Sequence, residues 1–468
     1  MKDAFAIAAY LALLPLVVGT VRWASRVWDL PPEVRRKAVH VGMGLTALSF
    51  PWVFDSVLSV AVLGLLSLLV LATIRRREAR RCQAGEGAGD SEPDAGGVAV
   101  LHGVGRASLG DLWFPLAVVF VFAWSRQREG TEALVLYLVP ILVLTLADAA
   151  GALVGTRYGA SRFTCLSGWK SAEGCVAVFI GAFFSAHVPL LLLTGTGRAE
   201  SLLIALILGM TVMLFEAIST KGIDNLVVPL ASVFLLDRFL PMDASALGWR
   251  LVVATLLLVF VLACRKGASL EGGALLAAAL FGYGCWAFGD WRFLVPPMIL
   301  FLEHLLVTHR LRRVWQPRHD LTPVLGFGLS LIPWAALAAW RPDWREACLA
   351  AFVCGTVAHL AMINLTTRVF IARRKASTRM KRLAWAKGLA LIGLPSWLLV
   401  TRDPVVYAVG FLALAAISRI ALEGFVRLCG NPEPYGDDPA RWWRQGPVAL
   451  FAGALVFALA LRYLPAHP

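Results

Sequence analysis

The chain has 468 residues, 59% of them hydrophobic and only 16% charged, with a net charge of +14 and a mean hydropathy of +0.72. Apolar runs of about 20 residues recur along it, each long enough to cross ~30 Å of hydrocarbon; this excludes a water-soluble globule and, without strict alternation, an outer-membrane barrel. The basic surplus sits in short segments between the runs, where it reads as a positive-inside signal, so no nucleic-acid partner is expected.

The fold expected is all-α, a polytopic helical membrane protein with about sixteen transmembrane helices in two halves. The spans fall at residues 4–21, 41–54, 55–74, 112–125, 133–155, 172–194, 201–219, 226–240, 247–264, 270–288, 293–308, 322–340, 346–366, 386–401, 404–422 and 447–464. Lys2 and Asp3 precede the first run and no small-residue cleavage site follows it, so it reads as a retained helix and not a signal peptide. A turn around Pro51 to Asp55 separates the second and third spans. Two helices there, and not one long tilted helix, put the basic clusters Arg35 to Lys37 and Arg75 to Arg81 on one side. Between residues 75 and 111, QAGEGAGDSEPDAGG has the composition of a linker, while the following GVGRASLGD reads either as more linker or as a glycine-rich phosphate loop. Beyond Pro241 acidic residues in or beside the spans become few, which sets a boundary between residues 1–243 and 244–468, with no convincing repeat relating the two. Placing the loop after the first span in the cytoplasm puts most of the 44 Lys and Arg on that side and both termini outside. The eight cysteines show no paired two-residue spacing, so neither a disulfide framework nor a zinc site is expected.

Two polar interruptions stand out, LADAAGALVGTRYGASRFTCLSGWKSAEG from Leu146 to Gly174 and EAISTKGIDNLVVP from Glu216 to Pro229. A carboxylate in an apolar helix costs about 2.5 to 3.5 kcal/mol at mid-bilayer, so Asp148 needs a partner or a task. It lies about six residues, ~9 Å, from the end of its run, a depth that suits a water-accessible pocket near one membrane surface. Arg36, Lys37 and His40, then Arg106 and Ser108, then Asp148, then Lys170 and Glu173, then Glu216, Asp224 and Asn225 all fall at cytoplasmic ends of spans. The positive-inside bias accounts for the cations but not for the carboxylates. Such a set suits phosphoryl or nucleotidyl transfer: cations and backbone N–H groups meet phosphate oxygens, and two or more carboxylates hold magnesium. Lys170 precedes a helix starting near Ser171, whose N–H groups and dipole favour an anion. The plainer readings are topology determinants for Arg36 and Lys37, a helix-end polar residue for His40, caps for Lys170, Glu173, Asp224 and Asn225, and structural pairing for Asp148 and Glu216. His304 and His309, five apart, share no face, and the basic run from Arg368 to Lys387 suits anionic headgroups.

Five stretches, RRKAVHVGMG at Arg35, GRASLGDLWFPLAV at Gly105, DAAGALVGTRYG at Asp148, WKSAEGCVAVF at Trp169 and EAISTKGIDNLVVPL at Glu216, resemble in order the polyprenol kinase family, which contains phytol, farnesol and dolichol kinases. The resemblance covers most of residues 30 to 240. It implies a membrane-embedded enzyme that uses a nucleoside triphosphate, typically CTP, to phosphorylate the terminal hydroxyl of an isoprenoid alcohol, and it draws GRASLGD into the site. Residues and resemblance together nominate Asp148, Lys170, Glu173 and Asp224 for catalysis. They nominate Arg36, Lys37, His40, Arg106, Ser108, Gly151, Gly155, Lys170, Gly174 and Asn225 for nucleotide binding, and Asp148, Glu173, Glu216 and Asp224 for Mg2+. Cys175 stands where the family tends to have serine. The same LSGWKSAEG also looks like CDP-diacylglycerol synthase, a cytidylyltransferase, but that enzyme's later lysine-aspartate pair and proline-glycine-histidine-glycine-glycine run are absent. A lipid or anion transporter is the reading from another class. In the second half GGALLAAALFGYGCWAFGDW, at Gly272, is faintly similar to phytyl-phosphate kinases, yet AHLAMINLTTR, at Ala358, lacks the acidic motif that would follow. The expected location is the inner membrane of a bacterium, with the site on the cytoplasmic side.

Overall fold

The computed structural model describes residues 2–83, 109–165, 168–219, 222–311, 319–430 and 440–463. Among these it is 86% helical, as a chain that must satisfy its backbone without water requires. The chain divides into two compact units, Met1–Val252 and Val253–Pro468, the break falling within a helix.

The first unit comprises α1 (Lys2–Trp28), α2 (Pro32–Leu48), the single turn α3 (Phe50–Val53), α4 (Val57–Gln83), α5 (Gly110–Ser125), α6 (Gly130–Leu142), α7 (Asp148–Tyr158), the strands β1 (Arg162–Cys165) and β2 (Gly168–Ser171), α8 (Ala172–Leu193), α9 (Arg198–Ile218), α10 (Asp224–Phe239) and the start of α11 (Ala244–Ala263). Pro31 and Pro32 open α2, where a missing N–H costs nothing. The helix therefore begins nine residues before the span expected from residue 41, and Arg35, Arg36, Lys37 and His40 sit on its first turns, not in a loop. The chain reverses after α3, as the turn around Pro51 to Asp55 predicts.

α6 and α7 are joined through a π-helical turn, Val143–Ala147, into one rod from Gly130 to Tyr158, with Asp148 directly after the wide turn. β1 and β2 pair antiparallel with Phe163 opposite Lys170, and Gly168 takes φ +116° at the turn into β2, a conformation that favours glycine. Ser171 caps α8, its Oγ accepting from the Gly174 N–H at 3.2 Å. α7 and α8 meet through glycines four apart, in the manner of small residues at membrane helix interfaces. A Cβ on Gly151 would lie 2.3 Å from Val178 Cγ2, and one on Gly174 would lie 3.0 Å from the Gly151 carbonyl oxygen.

The second unit continues with α12 (Gly272–Gly284), α13 (Trp291–Leu311), α14 (Thr322–Trp340), α15 (Arg345–Ala372), α16 (Thr378–Gly388), α17 (Leu394–Trp397), α18 (Pro404–Cys429) and α19 (Ala440–Tyr463). α15 is its axis: small residues such as Ala350, Cys354, Gly355 and Ala358 let its neighbours close in on every side. Its buried polar side chains are partly paired: His359 Nε2 lies 2.7 Å from Ser330 Oγ and Asn364 Oδ1 accepts from Lys387 at 3.0 Å, whereas among the described residues His359 Nδ1 and Asn364 Nδ2 have no hydrogen-bond partner.

Twelve helices among the described residues are long and apolar enough to cross a bilayer, fewer than the sixteen expected. Each remaining predicted span has a helical counterpart that is shorter or broken: residues 41–54 fall on α2 and α3, 112–125 on α5, 226–240 on α10, and 386–401 on α16, the π-helical stretch Leu389–Gly393 and α17.

Candidate active site

On α2, residues 37, 40, 44 and 47 form one helical stripe, and the stripe faces the Gly130–Tyr158 rod. Lys37, only 3% exposed, donates to Asp148 Oδ1 at 2.5 Å. His40 Nε2 lies 2.9 Å from the Leu144 carbonyl oxygen and 3.3 Å from Asp148 Oδ2. Gly44 passes Thr145 so closely that a Cβ would sit 2.0 Å from its Oγ1, and Tyr137 donates its hydroxyl to the Ala47 carbonyl at 2.8 Å. Arg36, one position round the helix, is held by Glu33 in two hydrogen bonds, of 2.6 and 3.1 Å.

The hairpin brings in Lys170. Its ammonium donates to Glu216 Oε1 at 2.8 Å and also to the Glu216 carbonyl oxygen near the end of α9. Burial works against the Lys170 charge, but the Glu216 and Asp224 carboxylates outweigh it and hold the pKa above the ordinary lysine value. Asp224 opens α10, and beside it Asn225 Nδ2 donates to the Gly110 carbonyl at 2.9 Å, fixing α10 to the start of α5.

One carboxylate oxygen each from Asp148, Glu216 and Asp224 lies within 4.8 Å of the others. Lys37 serves the first and Lys170 the second. The third is left over: among the described residues, Asp224 Oδ1 is buried and has no hydrogen-bond partner. A buried, unpartnered carboxylate oxygen is costly, and a third positive charge would relieve it. Oxygen donors from two or three carboxylates, next to space for phosphates, are what Mg2+ takes, so the residues present fit that ion.

These groups line one end of a cavity of about 1310 Å³. The rest of its wall is mostly apolar, from α1, α2, α4 and α5, with Leu14, Met43, Leu63, Val70 and Val118 among the contributors. A site of this kind meets a polar headgroup at one end and an oily body at the other.

Of the nominated residues, the structure brings Arg36, Lys37, His40, Asp148, Lys170, Glu216, Asp224 and Asn225 to this cavity, together with Gly151, Gly155 and Gly174, which line it while holding α7 to α8. Glu173 is not among the lining residues. Its carboxylate accepts the Ser161 N–H at 3.0 and 3.2 Å and so braces the base of the hairpin. The α8 start is also less open to an anion than expected, because the Ala172 N–H is taken by the Ser161 carbonyl and that of Gly174 by its cap. Arg106 and Ser108 lie outside the described residues. Four charged lining residues, Arg22, Glu33, Asp111 and Arg162, were not nominated. Glu33 is readable as the i,i+3 partner of Arg36, and Asp111, inside the GRASLGD block, pairs with Arg75. Arg162 reaches the cavity only because the hairpin folds back, which no local pattern announces.

No family model matches the chain, and no solved structure matches it. A phytol kinase from Synechocystis sp. is 28% identical to it over 228 residues, 47% of this chain and 86% of the relative. The chain is thus similar in sequence to a phytol kinase, and eight of the side chains nominated from its ordered motif blocks gather at one cavity, which together support a polyprenol and phytol kinase-like family.

Proposed function

We propose that the first unit transfers the γ-phosphoryl group of a nucleoside triphosphate, CTP on the family resemblance, to the terminal hydroxyl of an isoprenoid alcohol. The observation that carries this reading is the single cavity joining a carboxylate and ammonium cluster to a long apolar wall. The relative's activity on phytol agrees with it.

In this reading Asp148, Glu216 and Asp224 hold Mg2+, which when bound offsets negative charge on the β- and γ-phosphates. Lys37, Lys170 and Arg36 meet the remaining phosphate oxygens. The alcohol lies with its tail along the apolar wall and its hydroxyl among the carboxylates. Its oxygen bonds to the γ-phosphorus as the bond to the β-phosphate oxygen breaks, and its proton passes to a carboxylate oxygen of Asp224 or Asp148. Little covalent work falls to the protein, so the catalysis is positioning and charge stabilisation. The basic clusters at Arg35 to Lys37 and Arg75 to Arg81 favour placing this end of the cavity on the cytoplasmic face of a bacterial inner membrane.

The test is purified protein with labelled CTP, Mg2+ and a panel of phytol, farnesol, undecaprenol and diacylglycerol. CDP and a lipid monophosphate, lost on adding EDTA and restored by Mg2+, are the expected products. Pyrophosphate with a CDP-lipid would make the chain a cytidylyltransferase instead, and unconsumed nucleotide would remove the enzyme reading altogether.

A further inference from the structure

The apolar part of the cavity has a measurable depth. α2 lines it from Lys37 to Ala47, with Phe50 at the start of α3 continuing the wall, and α4 lines it from Ile74 to Val60; Lys37 to Phe50 and Ile74 to Val60 are thirteen and fourteen residues apart, or about 20 Å at helical rise in each case. At the far end aromatic rings pack together. The Tyr10 hydroxyl lies 2.5 Å from Ser49 Oγ, and its ring centroid is 5.0 Å from that of Phe50 and 5.5 Å from that of Phe54, which is fully buried. Polar atoms near this floor are already paired: Ser49 Oγ with the Thr46 carbonyl, Thr46 Oγ1 with the Gly42 carbonyl, and the Ala47 carbonyl with Tyr137. A floor that offers water so few free partners suits the end of a hydrocarbon chain.

We propose that Tyr10, Ala47, Phe50 and Val60 form the end wall of a tail channel and set the longest isoprenoid alcohol that the site accepts. This rests on the alcohol kinase reading above. With the hydroxyl beside Asp148, the chain has roughly 15 to 20 Å to run before it meets Phe50, counting from His40 or from Lys37. An extended chain advances about 1.2 Å per covalent bond, so about 12 to 16 main-chain bonds fit, or three to four isoprene units. Farnesol, geranylgeraniol and phytol fall within that limit. Undecaprenol, with eleven units, does not.

Two readouts on the full-length protein in detergent test this: binding of each alcohol by native mass spectrometry, with no nucleotide present, and the rate of its phosphorylation. The expected result is binding and turnover of the three shorter alcohols, and at least about tenfold weaker binding of undecaprenol. Tyr10→Ala extends the limit by about one isoprene unit, Val60→Phe withdraws it so that geranylgeraniol is lost before farnesol, and Tyr10→Phe, which keeps the ring and loses only the Ser49 contact, leaves it in place. Equal binding at every length, or a limit that neither Tyr10→Ala nor Val60→Phe moves, overturns the proposal. A length limit in binding without any phosphorylation would instead sink the kinase reading and leave the channel standing.

Discussion

Lys37 and Asp148 are 111 residues apart and both nearly out of contact with solvent, so each is the other's close charge partner. Removing one charge is therefore worse than removing both. Lys37→Ala leaves the Asp148 carboxylate uncompensated and should cost about 3 kcal/mol or more, whereas Lys37→Ala with Asp148→Ala should cost less, read as thermal unfolding in detergent. Asp148→Asn, close to isosteric, should express normally while transfer falls by about a hundredfold or more, and retained turnover would remove Asp148 from the mechanism. Glu173→Gln should leave turnover within severalfold of wild type, since Glu173 contacts the Ser161 N–H and does not line the cavity. Lys170 adds a pH dependence with a fixed sign. Its pKa is raised in the fold, so the stabilisation from its pairing with Glu216 is whole at neutral pH and fades only as the pH climbs through that raised value. The sequence announced Asp148 and Glu216 because a carboxylate in an apolar run is conspicuous. It did not announce that Glu173 turns to the hairpin, because a carboxylate in the first turn of a helix has no fixed partner until the chain before it folds back.

At the scale of elements, the site depends on how closely α2 approaches the π-helical turn. Gly44→Ala would drive a methyl into Thr145, parting Lys37 from Asp148; an overpacked contact of this kind costs typically about 1 to 3 kcal/mol, and Thr145→Ala in the same chain should recover part of the lost activity. A double variant no better than Gly44→Ala alone would show that the contact does not set the geometry. Long apolar helices were legible from hydropathy, because crossing hydrocarbon demands both length and composition. The hairpin of β1 and β2 was not, since four-residue strands leave too short a pattern to distinguish from loop. The early start of α2 was missed for a different reason: its first two turns carry Glu33, Arg35, Arg36 and Lys37 and look like a polar linker, although Pro31 and Pro32 mark a helix start.

For the molecule as a whole, every residue lining the cavity belongs to the first unit. A chain ending after Lys266, just past α11, should therefore still bind nucleotide and phosphorylate alcohol in detergent, and complete loss of transfer in a folded truncated chain would assign the second unit a part in the chemistry. The motifs in the first half were readable because charged side chains stand out against apolar helices. In the second unit the polar residues His359 and Asn364 of α15 are buried among apolar neighbours and carry no carboxylate, so composition alone offered no function there.

The wide turn before Asp148 has a consequence for how this rod tolerates change in length. Each residue added to or taken from a regular helix turns everything beyond it by about 100°, but a π-helical turn already holds one surplus residue. Deleting Val143 should let Val143–Ala147 relax into ordinary α-helix, with the faces on either side kept and some transfer retained. Deleting Leu153, within the regular turns of α7, has no such slack to draw on: it would rotate Gly155 off α8 and abolish transfer, although each deletion removes a single apolar residue. Membrane insertion assays alone would not tell the two variants apart; activity would.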